Sequence, residues 1–317
     1  MKKILFIIDK LELKYFEFNN LVTNFWLIKS FLEKGCEVYI TTNPNLSLKL
    51  DVPYAKCYET FIQNENIFYK NVIQSCKIDE FDLVMFRPDP PVDIDYINAT
   101  YILDFVKNAE IINSPCAIRD FNEKLHSIYF KEFMTENTVT SSLKDIEDFL
   151  SMHKQIVLKP LNRCFGSGVM YLYDGDPNTR TIINTMTNNE STLVMVQKYI
   201  PEVKQGDIRV LTLGDKILPY AIKKLPSKDD FKFNTHNDDF IVNSGLTVND
   251  LNTFTPIAQK LNSMGIKMAG LDVINGKIIE VNVTSPCYFI KEINNLYKIH
   301  LEDEICDFLL TKSLLSV

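Results

Sequence analysis

Asp272, Glu280 and Asn282 are the residues of this chain whose types and spacing best fit hard-cation chemistry. Glu280 and Asn282 stand two apart in the run from Ile278 to Val283, and alternate residues of a strand share one face. Taken alone, such alternation is the ordinary mark of a strand with one wet side. The preceding segment, Met268 to Lys277, adds Asn275-Gly276, a strong hairpin signal. A two-residue loop would set Asp272 opposite Ile279, an acid among apolar groups. A three-residue loop of Ile274, Asn275 and a left-handed Gly276 instead gathers Leu271, Val273, Ile279, Val281 and Val283 on one face. A slip of one residue would exchange the faces, so the pattern predicts the three-residue loop. In that register Asp272, Glu280 and Asn282 project together. Two carboxylates and an amide oxygen suit magnesium, which keeps water and phosphate oxygens as further ligands.

Groups suited to anions lie upstream. Lys159 is the one charge ending the apolar strand Gln155 to Pro160; it is either an edge residue reaching for water or a phosphate ligand. Gly166-Ser167-Gly168 follows, either a plain hairpin turn or a nest of backbone amides for an anion. Lys124 opens a predicted helix and on its own reads as a surface lysine. The strand Val194 to Ile200 runs into Pro201; it is either an interdomain hinge or an edge whose backbone meets a nucleotide base.

These residues need a scaffold. Ile4 to Ile8 is a continuous apolar run, the mark of a strand buried on both faces. A helical pattern from Asn20 to Lys34 ends at Gly35, a helix C-cap position, and Glu37 to Thr41 reads as the next strand. Strand, helix and strand at this spacing predict a parallel sheet with right-handed crossovers. The run Phe81 to Arg87, a helix from Ile94 to Lys107 and a short strand at Ile111-Ile112 complete a doubly wound α/β domain over 1–120. Beyond it the pattern predicts helices over 122–133 and 143–151. Strands follow over 155–160, 169–173, 193–199, 208–213 and 216–225, then the hairpin and a helix from Leu301. Hairpins with helices alongside predict an α+β second half. Residues 227–245 are polar and without period, as in a lid or an unstructured loop.

Composition narrows the function classes. A chain of 317 residues suggests two domains or slightly more. With 46% hydrophobic and 24% charged residues it is an ordinary globular protein with a sizeable core. A net charge of −7 argues against a nucleic-acid partner. The seven cysteines are an odd number, widely spaced and without a C-x-x-C pair, so they form neither a disulfide framework nor a zinc site. Free thiols fit the reducing cytoplasm. Asp9 interrupts the apolar start, and no run approaches the ~18 apolar residues of a membrane span.

The order of lysine on a helix, lysine on a strand, glycine loop, Gln197-Lys198-Tyr199-Ile200, the Asp207-Ile208-Arg209 strand and the paired acid and amide resembles the ATP-grasp superfamily. More narrowly, the chain is similar to bacterial glutathione synthetase over nearly its whole length. The resemblance is carried by residues 86–104, 112–125, 156–161, 173–178, 197–211, 270–286 and 290–293, with D-P-P at 89–91, R-D-x-N-E-K at 119–124 and E-x-N-V-T-S-P at 280–286. It implies an ATP-grasp module of two lobes, 121–201 and 202–317, behind the N-terminal domain. It further implies an ATP-dependent ligase that phosphorylates the cysteine carboxylate of γ-glutamylcysteine and transfers it to glycine. Such chemistry needs charge stabilisation on phosphates more than a side-chain nucleophile.

By position, Lys124, Lys159 and Gly166-Ser167-Gly168 would contact ATP phosphates, Gln197, Lys198, Tyr199 and Ile200 would hold adenine, and Asp207 would line the nucleotide site. Asp272, Glu280 and Asn282 would hold two magnesium ions, with manganese as a substitute. Arg209, the catalytic candidate, would grip a substrate carboxylate bidentately, with Lys224, Thr284, Ser285 and Pro286 binding substrate beside it. A homo-oligomer is expected by family analogy.

Two places depart from the family pattern. Arg163, Cys164 and Phe165 occupy phosphate-loop positions where glycine or small residues are usual. Lys224 stands where an arginine is expected, and lysine lacks the bidentate fork. The ATP and magnesium residues keep the family pattern while the lid loops do not, so an ATP-grasp ligase for another acid and amine stays open, as does a nucleotide-binding homologue weakened in catalysis.

Overall fold

The structure is a computed structural model and describes residues 1–9, 22–163, 166–226 and 241–312. The N-terminal sheet is built outward from Lys3–Ile8, whose residues Ile4 to Ile8 are wholly buried. That strand pairs in parallel with Glu37–Thr42 on one side and Leu83–Phe86 on the other, and Glu110–Ile112 extends the parallel core. Apolar side chains on both faces demand helices on both faces, and the helices Thr23–Glu33 and Ile94–Leu103 supply crossovers. Gly35, at φ +78°, ends the first of them as expected. The second stops at Leu103 rather than Lys107.

The sheet holds eight strands because an antiparallel extension, which the sequence reading missed, joins Leu46–Lys49, Val52–Gln63, Asn66–Tyr69 and Gln74–Lys77. These strands lie half-buried at the rim, so they carry no continuous apolar run.

The next segment also differs from expectation. In place of one helix over 122–133 the chain forms the helix Pro115–Asp120 and a 3-10 segment His126–Phe133. The cause is Asn122, whose side-chain oxygen accepts from the amides of Lys124 and Leu125 and turns the chain between them.

Two antiparallel sheets follow. The smaller has the order Met170–Tyr173, Gln155–Pro160, Val194–Lys198, Asn137–Thr140. It closes over its own core of Ile146, Leu150, Ile156, Leu158, Leu172, Ile183, Val194 and Val196. The larger has the order Ile241–Asn243, Lys216–Lys224, Asp207–Leu213, Met268–Ile274, Lys277–Asn282. Its core on one face is continuous with the N-terminal domain: Leu211, Leu213, Ile222 and Tyr288 pack in one cluster with Phe6, Leu27 and Leu301. The helix Val248–Ser263 covers the other face; its Thr247 and Asp250 form a reciprocal cap. The small lobe is therefore a separate body, while the large lobe and N-terminal domain share a core. No helix among the described residues is long and apolar enough to cross a membrane.

Candidate active site

The lobes and the N-terminal domain enclose a cavity of about 490 Å³. Every residue singled out in the sequence lines it except Gly168, which stands behind at φ +74° with Pro160 so close that a Cβ would crowd it at 3.1 Å. Cys164 and Phe165, bulky residues of the same loop, and most of the 227–245 stretch (227–240) lie outside the described residues.

The hairpin reaches the expected face by an unexpected route. Its loop is two residues, Asn275 at φ +48° and Gly276 at φ +71°, with Ile274 paired to Lys277. Positive φ at both positions is the type I′ turn, whose twist matches that of the strands. A bulge after Ile278 then restores the pairing of Asp272 with Glu280 and Gly270 with Asn282. Ile278, not Ile279, fills the apolar face with Leu271, Val273, Val281 and Val283. Ile279 turns to the cavity, and its carbonyl accepts from Lys159 Nζ at 3.1 Å. Bulges commonly re-aim groups beside active sites.

Asp272 lies at the centre of a buried charge network. It is the cross-strand partner of Arg209, whose Nε and Nη2 donate to its two oxygens at 2.8 and 3.0 Å. Lys224 Nζ adds a contact at 3.0 Å, and Asn282 Nδ2 donates to Oδ2 at 3.0 Å. Burial favours the neutral acid, but Arg209 and Lys224 outweigh it and hold the carboxyl well below its usual range. The planar fork of Arg209 is thus occupied, and its Nη1 donates to the Cys287 carbonyl at 3.1 Å. It holds the site's own acid where the sequence reading gave it a substrate carboxylate. Lys224 is likewise enclosed, bridging Asp272 and Asp207 Oδ2 at 2.8 Å. Burial pushes the Asp207 carboxyl up to about 6 despite Lys224, and its Oδ1 has no hydrogen-bond partner among the described residues.

The small-lobe wall is less complete. Lys159 is 7% exposed and donates only to Ile279 among the described residues. Burial pulls its ammonium down to about 8, with Glu280 opposing the fall. Lys124 Nζ bridges the Arg163 carbonyl at 2.6 Å and Glu280 Oε1 at 2.8 Å. The Gln197 side chain is 3% exposed and its Nε2 has no partner among the described residues.

The strand carrying Gln197 is interior, not an edge: Asn137–Thr140 pairs with its far side. The amides of Lys198 and Tyr199 already donate to Glu136 and Gln155 carbonyls, so the expected backbone edge for a base is closed up to Tyr199. Lys198 itself is half exposed and pairs with Glu136 at 3.2 Å.

The turn after the hairpin is pinned from several elements. Glu123 Oε1 accepts from the Val283 and Thr284 amides at 2.7 and 3.0 Å and from the Thr284 hydroxyl at 3.0 Å. Arg87 Nη2 donates to the Pro286 carbonyl at 2.9 Å, and the Tyr288 amide donates to Thr23 Oγ1 at 2.9 Å. Neither Glu123 nor Arg87 was given a role from sequence. Arg87 carried the same signal as Lys159, a charge closing an apolar strand before a proline.

The donors and acceptors left without partners test whether a nucleotide fits. An under-partnered ammonium, a buried amide N–H and an adjacent acid supply what phosphates, a base and their counter-ions require, and the fit holds. Asp272, Glu280 and Asn282 form an oxygen-rich set on one face, though Lys124, Arg209 and Lys224 now hold both acids. No group of three or more His, Cys, Asp or Glu side chains able to hold a metal occurs among the described residues.

Two lobes of antiparallel sheet and helix closing on such a cavity define an ATP-grasp protein. Solved structures agree at the level of fold. The D-cycloserine synthetase DcsG superposes with a TM-score of 0.69 at 14% identity over 98% of this chain and 99% of its own. A RiPP-associated ATP-grasp ligase of Chryseobacterium gregarium, solved with ADP and a peptide, gives 0.65 at 16% identity over 98% and 97%. The family is narrower. The prokaryotic glutathione synthetase N-terminal domain matches residues 2–119 and that family's ATP-grasp domain residues 123–298. Glutathione synthetase of Neisseria meningitidis (strain Z2491) is 34% identical over 276 residues, 84% of this chain and 86% of its own. That of Vibrio vulnificus (strain YJ016) is 34% identical over 74% of each chain. This chain belongs to the prokaryotic glutathione synthetase family.

Proposed function

We propose that the protein is a glutathione synthase, joining γ-glutamylcysteine to glycine with conversion of ATP to ADP and phosphate. In a chain of this family, the observation that carries the reading is Lys159: a buried ammonium with one carbonyl partner among the described residues, set between the lobes where a polyphosphate would lie. A carboxylate is a poor electrophile, and its phosphorylation installs a leaving group that an amine displaces. Lys159 and Lys124 hold phosphate oxygens, with Gly166 and Ser167 over them. Gln197 Nε2 donates to the base, and Ile200 lines its slot. Asp272, Glu280 and Asn282 would hold magnesium, which when bound neutralises charge building on the transferred phosphoryl group. Arg209 fixes Asp272 for that task. Glu123 and Arg87 hold the turn that presents Ser285 to the peptide. Water exclusion follows from closure of the small lobe, which has its own core.

The test is product analysis by mass spectrometry, with phosphate release followed in parallel. ATP, magnesium, γ-glutamylcysteine and glycine are expected to yield the tripeptide and one phosphate per peptide bond. If only another acid and amine turn over, the ligase stands and glutathione falls. If no pair turns over while ATP still binds, the protein is a binding module.

A further inference from the structure

Cys57 and Cys76 belong to no sequence motif, yet the fold sets their sulfurs against each other. They lie on the antiparallel strands Val52–Gln63 and Gln74–Lys77, with Cys57 opposite Gln74 and Cys76 opposite Ala55. The two are diagonal neighbours on one face of the strand pair, near enough for their side chains to meet. The Cys57 thiol donates to the Cys76 sulfur at 3.3 Å, with the Gln74 carbonyl as a second acceptor at 3.6 Å.

The two thiols differ in access. Cys57 is wholly buried in a core with Leu5, Ile7, Ala55 and Phe81, whereas Cys76 packs against that core from the rim and is only partly buried. Burial pushes the Cys57 thiol well above the ordinary thiol range, and its hydrogen bond to Cys76 acts in the same direction. Thiolates, not thiols, start an exchange, so Cys57 does not attack first. Cys76 is the sulfur that a small molecule can reach. Its strand is also held from one side, pairing with Val52–Gln63 and with no other strand among the described residues. An edge strand of four residues can give the shift of about 1.3 Å that takes a 3.3 Å contact to the ~2.0 Å of a disulfide.

We propose that Cys57 and Cys76 are a reversible dithiol–disulfide pair, oxidised by exchange with a low-molecular-weight disulfide, which staples the rim of the N-terminal sheet. Cys76, as the thiolate, attacks one sulfur of the small disulfide and joins it as a mixed disulfide, and the first small thiolate leaves. Cys57 gives up its proton and attacks the Cys76 sulfur, which forms the bond within the protein and expels the second small thiolate. The protein loses two hydrogens and two electrons; the small disulfide gains both and becomes two thiols. Neither cysteine lines the cavity, so this chemistry does not depend on which acid and amine the ligase joins.

Trypsin separates the two residues, cutting after Lys56, Lys70 and Lys77 into peptides 57–70 and 71–77. The folded protein is treated with excess oxidised glutathione, its remaining thiols are alkylated, and the digest is read by mass spectrometry. Peptides 57–70 and 71–77 should appear joined, and dithiothreitol should part them. Amides of 74–77 should exchange hydrogen at least ~10-fold more slowly in the oxidised protein, because the cross-link restricts the opened strand. Cys57→Ser removes the resolving thiol, so Cys76 should keep the small thiol as a stable mixed disulfide. Cys76→Ser, which leaves the core residue in place if the first variant does not fold, should leave Cys57 unmodified. Peptides found separate and alkylated, or a parent that keeps the small thiol on Cys76, overturn the pair. Modification of Cys57 in Cys76→Ser overturns the order of attack, and equal exchange in the oxidised and reduced proteins overturns the staple.

Discussion

The two lobes face one cavity but satisfy their charged groups in opposite ways. On the large lobe, Arg209, Asp272, Lys224 and Asp207 close on one another across adjacent strands. On the small lobe, among the described residues, Lys159 has a single carbonyl partner and Gln197 Nε2 has none. The cores differ in the same sense, since the large lobe shares its core with the N-terminal domain and the small lobe has its own. A floor saturated with ion pairs is pre-organised before any ligand arrives. A wall with unmatched donors gains more from binding an anion than it loses on leaving water, and a separate body can close when it does.

Breaking the under-partnered side should have the largest effect on function and the least on folding. Lys159→Met keeps the length and removes the charge, so turnover should fall by at least ~10³-fold, as when a principal electrostatic stabiliser is lost. The melting temperature should hold or rise, since a buried cation is replaced by an apolar group. Turnover like the parent's would remove Lys159 from the phosphate site.

Breaking the saturated side should act on folding first. Asp272→Ala leaves Arg209 buried without its paired carboxylate and takes from Lys224 one of the carboxylates it bridges, and urea unfolding should register a loss of about 3–5 kcal/mol. A loss under ~1 kcal/mol would mean the network is more hydrated than the geometry indicates. Arg209→Ala should weaken dipeptide binding by about 2–3 kcal/mol. The structure routes that effect through Asp272 and the Cys287 carbonyl, so it should be accompanied by a loss of stability of the same order. A binding defect with unchanged stability would instead restore Arg209 as a direct substrate ligand.

The smallest effect sharpens the hairpin. Gly276 has φ +71° with open space where a Cβ would stand. Gly276→Ala should therefore cost about 1 kcal/mol from backbone strain alone. A neutral result would contradict the type I′ loop.

Much of this was legible because charge placement follows strand patterns. Lys159 showed itself as the one charge ending an apolar strand, and Asp272, Glu280 and Asn282 through alternation. The register was right in outcome and wrong in route, since a one-residue bulge at Ile279 leaves no mark in an apolar run. Asn137–Thr140, the strand that closes the expected adenine edge, is polar and only partly buried, so nothing in Asn-Thr-Val-Thr separates it from a loop. The saturation of Arg209 was hidden for a different reason. It depends on Arg209 standing directly opposite Asp272, a pairing between segments 63 residues apart. Glu123 and Arg87 act through the turn at 283–287, and no local pattern links such distant positions.

The claim that the small-lobe wall is waiting for an anion can be measured as proton uptake. Burial sets Lys159 at about 8 against 10.5 in the unfolded chain, so the free protein carries a largely neutral amine between those values. Its unfavourable effect on folding is full below pH ~8 and fades as pH rises toward 10.5, because the unfolded state binds the extra proton in that window. A bound polyphosphate favours the ammonium and must draw a proton in. Calorimetry of a non-hydrolysable ATP analogue at pH 9, in two buffers of different ionisation enthalpy, should show uptake approaching one proton. At pH 7 it should show almost none, and Lys159→Met should show none at either pH. Uptake at pH 9 that is absent from the parent, or equally large in Lys159→Met, would contradict the account.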